Sequence, residues 1–195
     1  NNGDPNNKQH GVGTLENHGD LKVIGNELPD FEYGITLGLD YKGFDFSTYF
    51  QGVGSRDYWA YGNVAIPSGM SALDAIFTHQ TDYWTPQNTD AFYPRPTDHN
   101  WVSDGQNFKI QDRYLSDMSY LRCKNITLGY SLPKNLLKKI DFQKVRVYFS
   151  AENMFTWDNM HLPVDPETTS WKGAWAFGRS YPYMKTVSFG VQAVF

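Results

Sequence analysis

"YGITLGLDYKGFDFSTYFQ", Tyr33 to Gln51, is the stretch on which the fold turns. Tyr33, Ile35, Leu37, Leu39 and Tyr41 alternate with Gly34, Thr36, Gly38 and Asp40, and Phe44, Phe46 and Phe50 alternate with Asp45, Ser47 and Gln51. A period of two is the mark of a strand with one oily and one polar face. Between the two runs stands Lys42-Gly43, a two-residue turn with glycine that suits a tight hairpin. In such a hairpin Tyr41 and Phe44 lie opposite each other and must share a face. Each also sits on the apolar parity of its own strand. The turn and the alternation agree independently, so the stretch predicts an antiparallel hairpin.

Three further segments show the same pattern. Ile126, Leu128, Tyr130 and Leu132 stand against Asn125, Thr127, Gly129 and Ser131; Val145, Val147, Phe149, Ala151 and Phe155 stand against Arg146, Tyr148, Ser150 and Glu152. The last, "TVSFGVQAVF", sets Val187, Phe189, Val191, Ala193 and Phe195 against Ser188, Gly190 and Gln192. Strands are expected at about 33–41, 44–53, 120–132, 145–155 and 186–195, with residues 1–32 as a loop segment. Strands of about nine to eleven residues cross a bilayer when tilted about 45°. Two residues join the first pair and about a dozen the third and fourth, whereas roughly seventy and thirty residues make the other connections. Loops beyond about 12–15 residues are uncommon in compact domains. All the long ones fall at one end of the sheet, the asymmetry of outer-membrane barrels. Period two alone fits a soluble β-sandwich equally well. Loop asymmetry, aromatic residues at strand ends and a strand reaching the last residue favour the barrel. Five strands do not close one, which takes at least eight, so the chain is expected to be incomplete.

Composition limits the other classes. A net charge of −4 leaves no basic footprint for nucleic acid. Mean hydropathy is −0.56 and no apolar run approaches the length of a membrane helix, but barrels escape such searches because only alternate residues are apolar. The single cysteine, Cys123, has no internal disulfide partner. His10, His18, His79, His99 and His161 lack metal-ligand spacing, and no nucleophile elbow, glycine-rich phosphate loop or H-E-x-x-H occurs. Neither an enzyme nor a cofactor is expected.

Several blocks in order, "YGITLGLDYKGFDFSTYFQGVGSRD", "DYWTPQNTDAFYPRP", "RYLSDMSYLRCKNITLGYSLPKNLLKKI", "VRVYFSAENMFTW" and "SFGVQAVF", resemble the C-terminal end of SusC/RagA-type TonB-dependent outer-membrane transporters. The resemblance runs from about Val23 to Phe195. It implies the last five strands of a 22-stranded barrel in a Gram-negative outer membrane, with long extracellular loops and with a plug and TonB box elsewhere. It also implies a SusD-type lipoprotein partner, dependence on TonB, and import of oligosaccharides or peptides. Phe195 is similar to the terminal aromatic that the barrel-assembly machinery reads. Family members often carry an aspartate-rich stretch before the "VIG" block. Here that region reads "NNGDPNNKQHGVGTLENHGDLKVIG"; Pro5 interrupts it and the oxygens miss calcium-loop spacing, so no metal is expected. The reading from another class is a soluble β-sandwich module that binds carbohydrate.

Trp59, Trp84, Trp101, Trp171 and Trp175, with Tyr83 and Tyr93, fall in the two long connections and are the candidate substrate- or partner-binding residues. Three readings of these rings stay open: loop cores, a partner interface and stacking on cargo. Trp157, just beyond Phe155, is expected as a membrane-interface anchor. Arg122 and Lys124 share parity with Ile126 and Leu132, so they are expected on the lipid face. A tilted strand lifts Arg122 about 23 Å above Leu132, level with the outer headgroups. All three therefore count as contacts with outer-membrane lipid.

Overall fold

The computed structural model describes residues 22–60, 62, 64, 65, 67, 76–96, 110–138, 142–168, 178 and 180–195. Five long strands form one antiparallel sheet: β1 (Phe31–Tyr41), β2 (Phe44–Gly54), β5 (Tyr120–Ser131), β6 (Lys144–Asp158) and β7 (Thr186–Val194), in the order β1-β2-β5-β6-β7. Two short strands in the first long connection, β3 (Asp57–Trp59) and β4 (Leu115–Asp117), pair separately. A one-turn helix, α1 (Lys134–Leu137), bridges β5 and β6. The sheet is an open segment of barrel wall, with β1 and β7 as its free edges. Trp59 therefore lies on β3, and Trp157 inside β6 rather than beyond it.

The hairpin forms as its turn chemistry dictates. Lys42 and Gly43 both take positive φ, 47° and 89°, the primed turn that matches strand twist. Tyr41 pairs with Phe44, Leu39 with Phe46 and Ile35 with Phe50. The next ladders carry the same face onward: Phe46 opposes Leu128, Leu128 opposes Phe149, and Phe149 opposes Phe189. No second sheet packs on this face among the described residues. Leu37 is 54% exposed, Leu128 47% and Phe189 82%. From Phe31 to Tyr41 the alternate residues of β1 make five steps, each about 4.7 Å along the normal at a tilt of about 45°. The resulting height of about 23 Å matches the apolar belt of a membrane barrel, about 25 Å. An oily face left open over that height suits hydrocarbon and not a sandwich core.

The opposite face is polar. Arg146 Nε donates to Asp45 Oδ1 at 2.9 Å and its Nη2 pairs with Oδ2, while the guanidinium lies 4.9 Å from the Tyr148 ring centre. Gly129 lies beneath this pair and Gly190 beneath the Tyr148 ring; neither leaves room for a Cβ.

Halfway up, the pattern breaks. In β5 Cys123 pairs with Phe50 and Asn125 with Tyr49, so Lys124 is an extra residue, a β-bulge. Across the next ladder Cys123 pairs with Phe155 and Asn125 with Glu152, and Asn153 takes φ 53°. Below the bulge the even residues Ile126, Leu128 and Tyr130 share the apolar face; above it Cys123 and Leu121 do. Arg122 is thereby turned to the polar face, and its expected place on the lipid side is wrong. On the apolar face Thr48, only 5% exposed, donates from Oγ1 to the Asn125 carbonyl at 2.9 Å. Thr48→Val removes that donor where no water replaces it, and is expected to destabilise the complete barrel by about 1 kcal/mol in denaturant titration, with Thr48→Ser close to neutral.

At the short-turn end the last strand is tied down. Gln143 N donates to Val194 O at 2.8 Å, and the Phe142 and Phe195 rings meet edge to face at 6.4 Å. Phe195 itself is 88% exposed.

Candidate functional site

The long-loop end concentrates the sequence candidates that the structure describes, Phe195 at the short-turn end apart, and it divides them. Tyr58, Ala60, Met118 and Leu162 bury against one another, with Val64, Ala65, Met160 and Val164 around them. The β3–β4 ladder and the Met118 amide on the Arg56 carbonyl (2.7 Å) fix this core just beyond the sheet. A ring cluster sits beside it: Phe92 lies 5.4 Å from Tyr114, 5.1 Å from His161 and 4.9 Å from Tyr93, which stacks on Tyr114 at 6.2 Å. Trp59 and Tyr93 are 5% and 3% exposed. Both are core residues of the loops. Burial pushes the Tyr93 phenol above its ordinary value of 10.0, with Tyr114 adding to the rise, so it stays neutral.

Trp84 is different. A parallel bridge between Tyr83 and Tyr93 holds it, with Trp84 N donating to Tyr93 O (2.9 Å) and Tyr93 N to Asp82 O (3.0 Å). Asp82 is held in turn by the Asn88 side chain at 2.9 Å and the Phe92 amide at 3.0 Å, hydrogen bonds that keep its carboxyl below the usual range. The indole is 37% exposed and borders an open hollow of about 340 Å³, shared with Tyr93, Arg95, Arg113 and Tyr114. Arg113 is committed to structure, donating to the carbonyls of Ala91 and Phe92 at 2.7 and 2.9 Å. Tyr83 is half-buried next to Trp84. Trp101, Trp171 and Trp175 lie outside the described residues, as do residues 1–21 of the N-terminal stretch. Trp157 stands on the apolar face opposite Leu121, 53% exposed, and stacks on Phe155 at 6.0 Å.

The bulge creates a site that alternation did not show. Arg122 Nη2 meets Asp165 Oδ1 at 2.8 Å, and Nη1 lies 3.1 Å from Glu167 Oε1. Arg122 Nε donates to Thr156 Oγ1 at 2.9 Å. Lys124 Nζ bonds Glu167 Oε2 at 2.7 Å and sits 4.3 Å from the Tyr183 ring centre; the Arg122 guanidinium lies 5.3 Å from the same ring. Side-chain exposure is 4% for Arg122, 6% for Asp165, 9% for Glu167 and 20% for Lys124. Neither cation reaches outward to lipid, which corrects the expectation for both. One sequence signal was available: the apolar residues change parity between Cys123 and Ile126.

Burial pushes the Asp165 carboxyl up, but hydrogen bonds from Arg122 and from the Glu167 and Tyr183 amides outweigh it, and the net value lies below the ordinary 3.8. A depressed carboxylate stabilises the fold above its unfolded value and loses that contribution as pH falls through the folded one. Exchange at the Glu167 and Tyr183 amides, corrected for intrinsic rate, is therefore expected to stay flat at neutral pH and rise only below about 3.8.

No family model matches the chain. Among curated proteins it is similar to TonB-dependent receptor P3 of Formosa agariphila, 34% identical over 148 residues that cover 76% of this chain and 14% of the receptor. It is also similar to TonB-dependent receptor SusC of Bacteroides thetaiotaomicron, 28% identical over 182 residues, covering 92% and 17%. Among solved structures, the RagAB peptide importer in its closed-closed state superimposes with a TM-score of 0.66 at 22% identity, over 91% of this chain and 18% of that one. The open-open state gives 0.64 at 23% identity, again over 91% and 18%. The chain spans less than a fifth of the length of each of these relatives. With the open apolar band on one face and the charged pairs on the other, these likenesses place the chain in the SusC/RagA family of TonB-dependent receptors, as a segment of the barrel wall.

Proposed function

We propose that this segment forms wall and outer loops of an outer-membrane importer that takes up oligosaccharides or peptides, draws on TonB, and works beneath a SusD-type lipoprotein lid. It performs no covalent chemistry. The observation that carries the reading is the two-sided sheet, oily where hydrocarbon would touch it and lined by Asp45, Arg146, Gln51 and Asn125 where a pore would be. Curated relatives bear the name TonB-dependent receptor, and a structural neighbour is titled a peptide importer. Within the loops, Trp84 with Tyr83 is the surface for cargo or lid, because Trp59 and Tyr93 are spent on packing. Trp157 anchors the wall at the outer interface, and Phe195 is the assembly signal.

The test uses the complete receptor. It is expected in the outer-membrane fraction and to need detergent for release; recovery in the aqueous fraction overturns the importer reading. Trp84→Ala is expected to weaken lid capture or cargo uptake about 10-fold, the effect of losing a moderate aromatic anchor. Unchanged lid capture and unchanged uptake together would remove Trp84 from the site.

A further inference from the structure

Both limbs of the β6–β7 connection end on the same spot. The limb leaving β6 brings Asp165 and Glu167, and the limb returning to β7 brings Tyr183, whose amide donates to Asp165 Oδ2 at 3.1 Å. Further along the returning limb Met184 O accepts from Asn153 Nδ2 at 3.1 Å, and Asn153 is the left-handed residue of the β6 irregularity. All these contacts converge on the polar side of β5 and β6, at the bulge. The four charges sum to zero and are at least four-fifths buried. A buried set of this kind is not a source of great net stability, but separating its members is strongly unfavourable, since each half is left charged and poorly solvated. Swinging the connection away would pull both carboxylates off both cations and strip the Tyr183 ring from the cations as well. A mobile lid is held by few contacts of low local stability; this arrangement is the reverse.

We propose that Arg122, Lys124, Asp165 and Glu167 form a charge clamp that holds the base of the β6–β7 connection stationary against the pore side of the wall. The bulge exists, on this reading, to turn the cations inward. Any motion that admits cargo then belongs to other regions of the receptor. The inference rests on the importer reading for the word pore.

The experiment places a nitroxide at Tyr181→Cys, beside Tyr183 and 93% exposed, in the complete receptor in outer membranes. With the clamp intact the label is expected to move slowly, and equally slowly in energised cells and after a protonophore collapses the proton-motive force. Arg122→Met, and the milder Glu167→Gln where the first fails to assemble, are expected to speed it about 5-fold into the nanosecond range of free loops. A label that is already fast, one that responds to the protonophore with the clamp intact, or one indifferent to both substitutions overturns the clamp. Failure of the importer reading shows itself separately, as a receptor absent from the outer membrane.

Discussion

Arg122→Met should cost the outer loop unit about 3–5 kcal/mol, the largest effect expected of any single substitution here. The reason is what stays behind. Asp165 and Glu167 have side chains only 6% and 9% exposed, and without the guanidinium Asp165 loses its sole side-chain cation at bonding distance among the described residues. Lys124 remains on Glu167 and cannot serve both. The substitution keeps length and most of the apolar stem, so the loss reports charge and not packing volume. Amide exchange reads it directly: the Glu167 and Tyr183 amides, both donors to Asp165, are expected to exchange at least about 100-fold faster in the variant. Amides of the Asp45–Arg146 region, at the other end of the wall, are expected to keep their rates. Unchanged exchange at Glu167 and Tyr183 would mean that the carboxylates find water or another cation, and the buried cluster would lose its energetic meaning.

Leu37→Arg should destabilise the complete barrel by about 2–4 kcal/mol, while Thr36→Arg, one residue away, should stay near zero. Leu37 lies near mid-height of the apolar band, 54% exposed, with Thr48 as its partner on β2. A guanidinium there must sit in hydrocarbon or drag water to itself. Thr36 pairs with Tyr49 on the opposite face, where a cation meets the aqueous pore. Denaturant unfolding of the receptor reconstituted in lipid vesicles measures both. Equal effects of the two substitutions would show that the faces do not differ in their surroundings, and a membrane wall would then be untenable.

How much of this was legible in the chain alone differs from element to element. The β1–β2 hairpin was fully readable, because Lys42-Gly43 sets the register and the alternation on either side confirms which residues share a face. That Leu39, Phe46, Leu128, Phe149 and Phe189 share the apolar face follows from strand parity, whereas their alignment in one cross-sheet row is a register that only the ladders set. Alternation weakens near Asn153 and Met154, where the ladder is irregular, so the sequence alone ends the strand before Trp157. Parity puts Arg122 on the wrong face for a related reason: extrapolation upward from Leu132 assumes an unbroken ladder, and one extra residue at Lys124 reverses everything above it. The candidate tryptophans show a different limit. Trp59 and Trp84 have the same chemistry and the same kind of neighbourhood in sequence, and only their burial in the folded loops, 5% against 37% exposed, separates a core residue from a surface one.

What the amino-acid sequence by itself determined is the two-faced sheet and the gathering of its long loops at one end, since alternation, turn residues and loop lengths are local quantities that a linear chain records. What only the tertiary structure decided is where the long connections return. The meeting of Arg122 and Lys124 with Asp165, Glu167 and Tyr183 joins residues some forty to sixty positions apart, through a bulge whose partners lie on neighbouring strands. Burial and ion pairing are properties of that encounter in space, and no spacing along the chain encodes them.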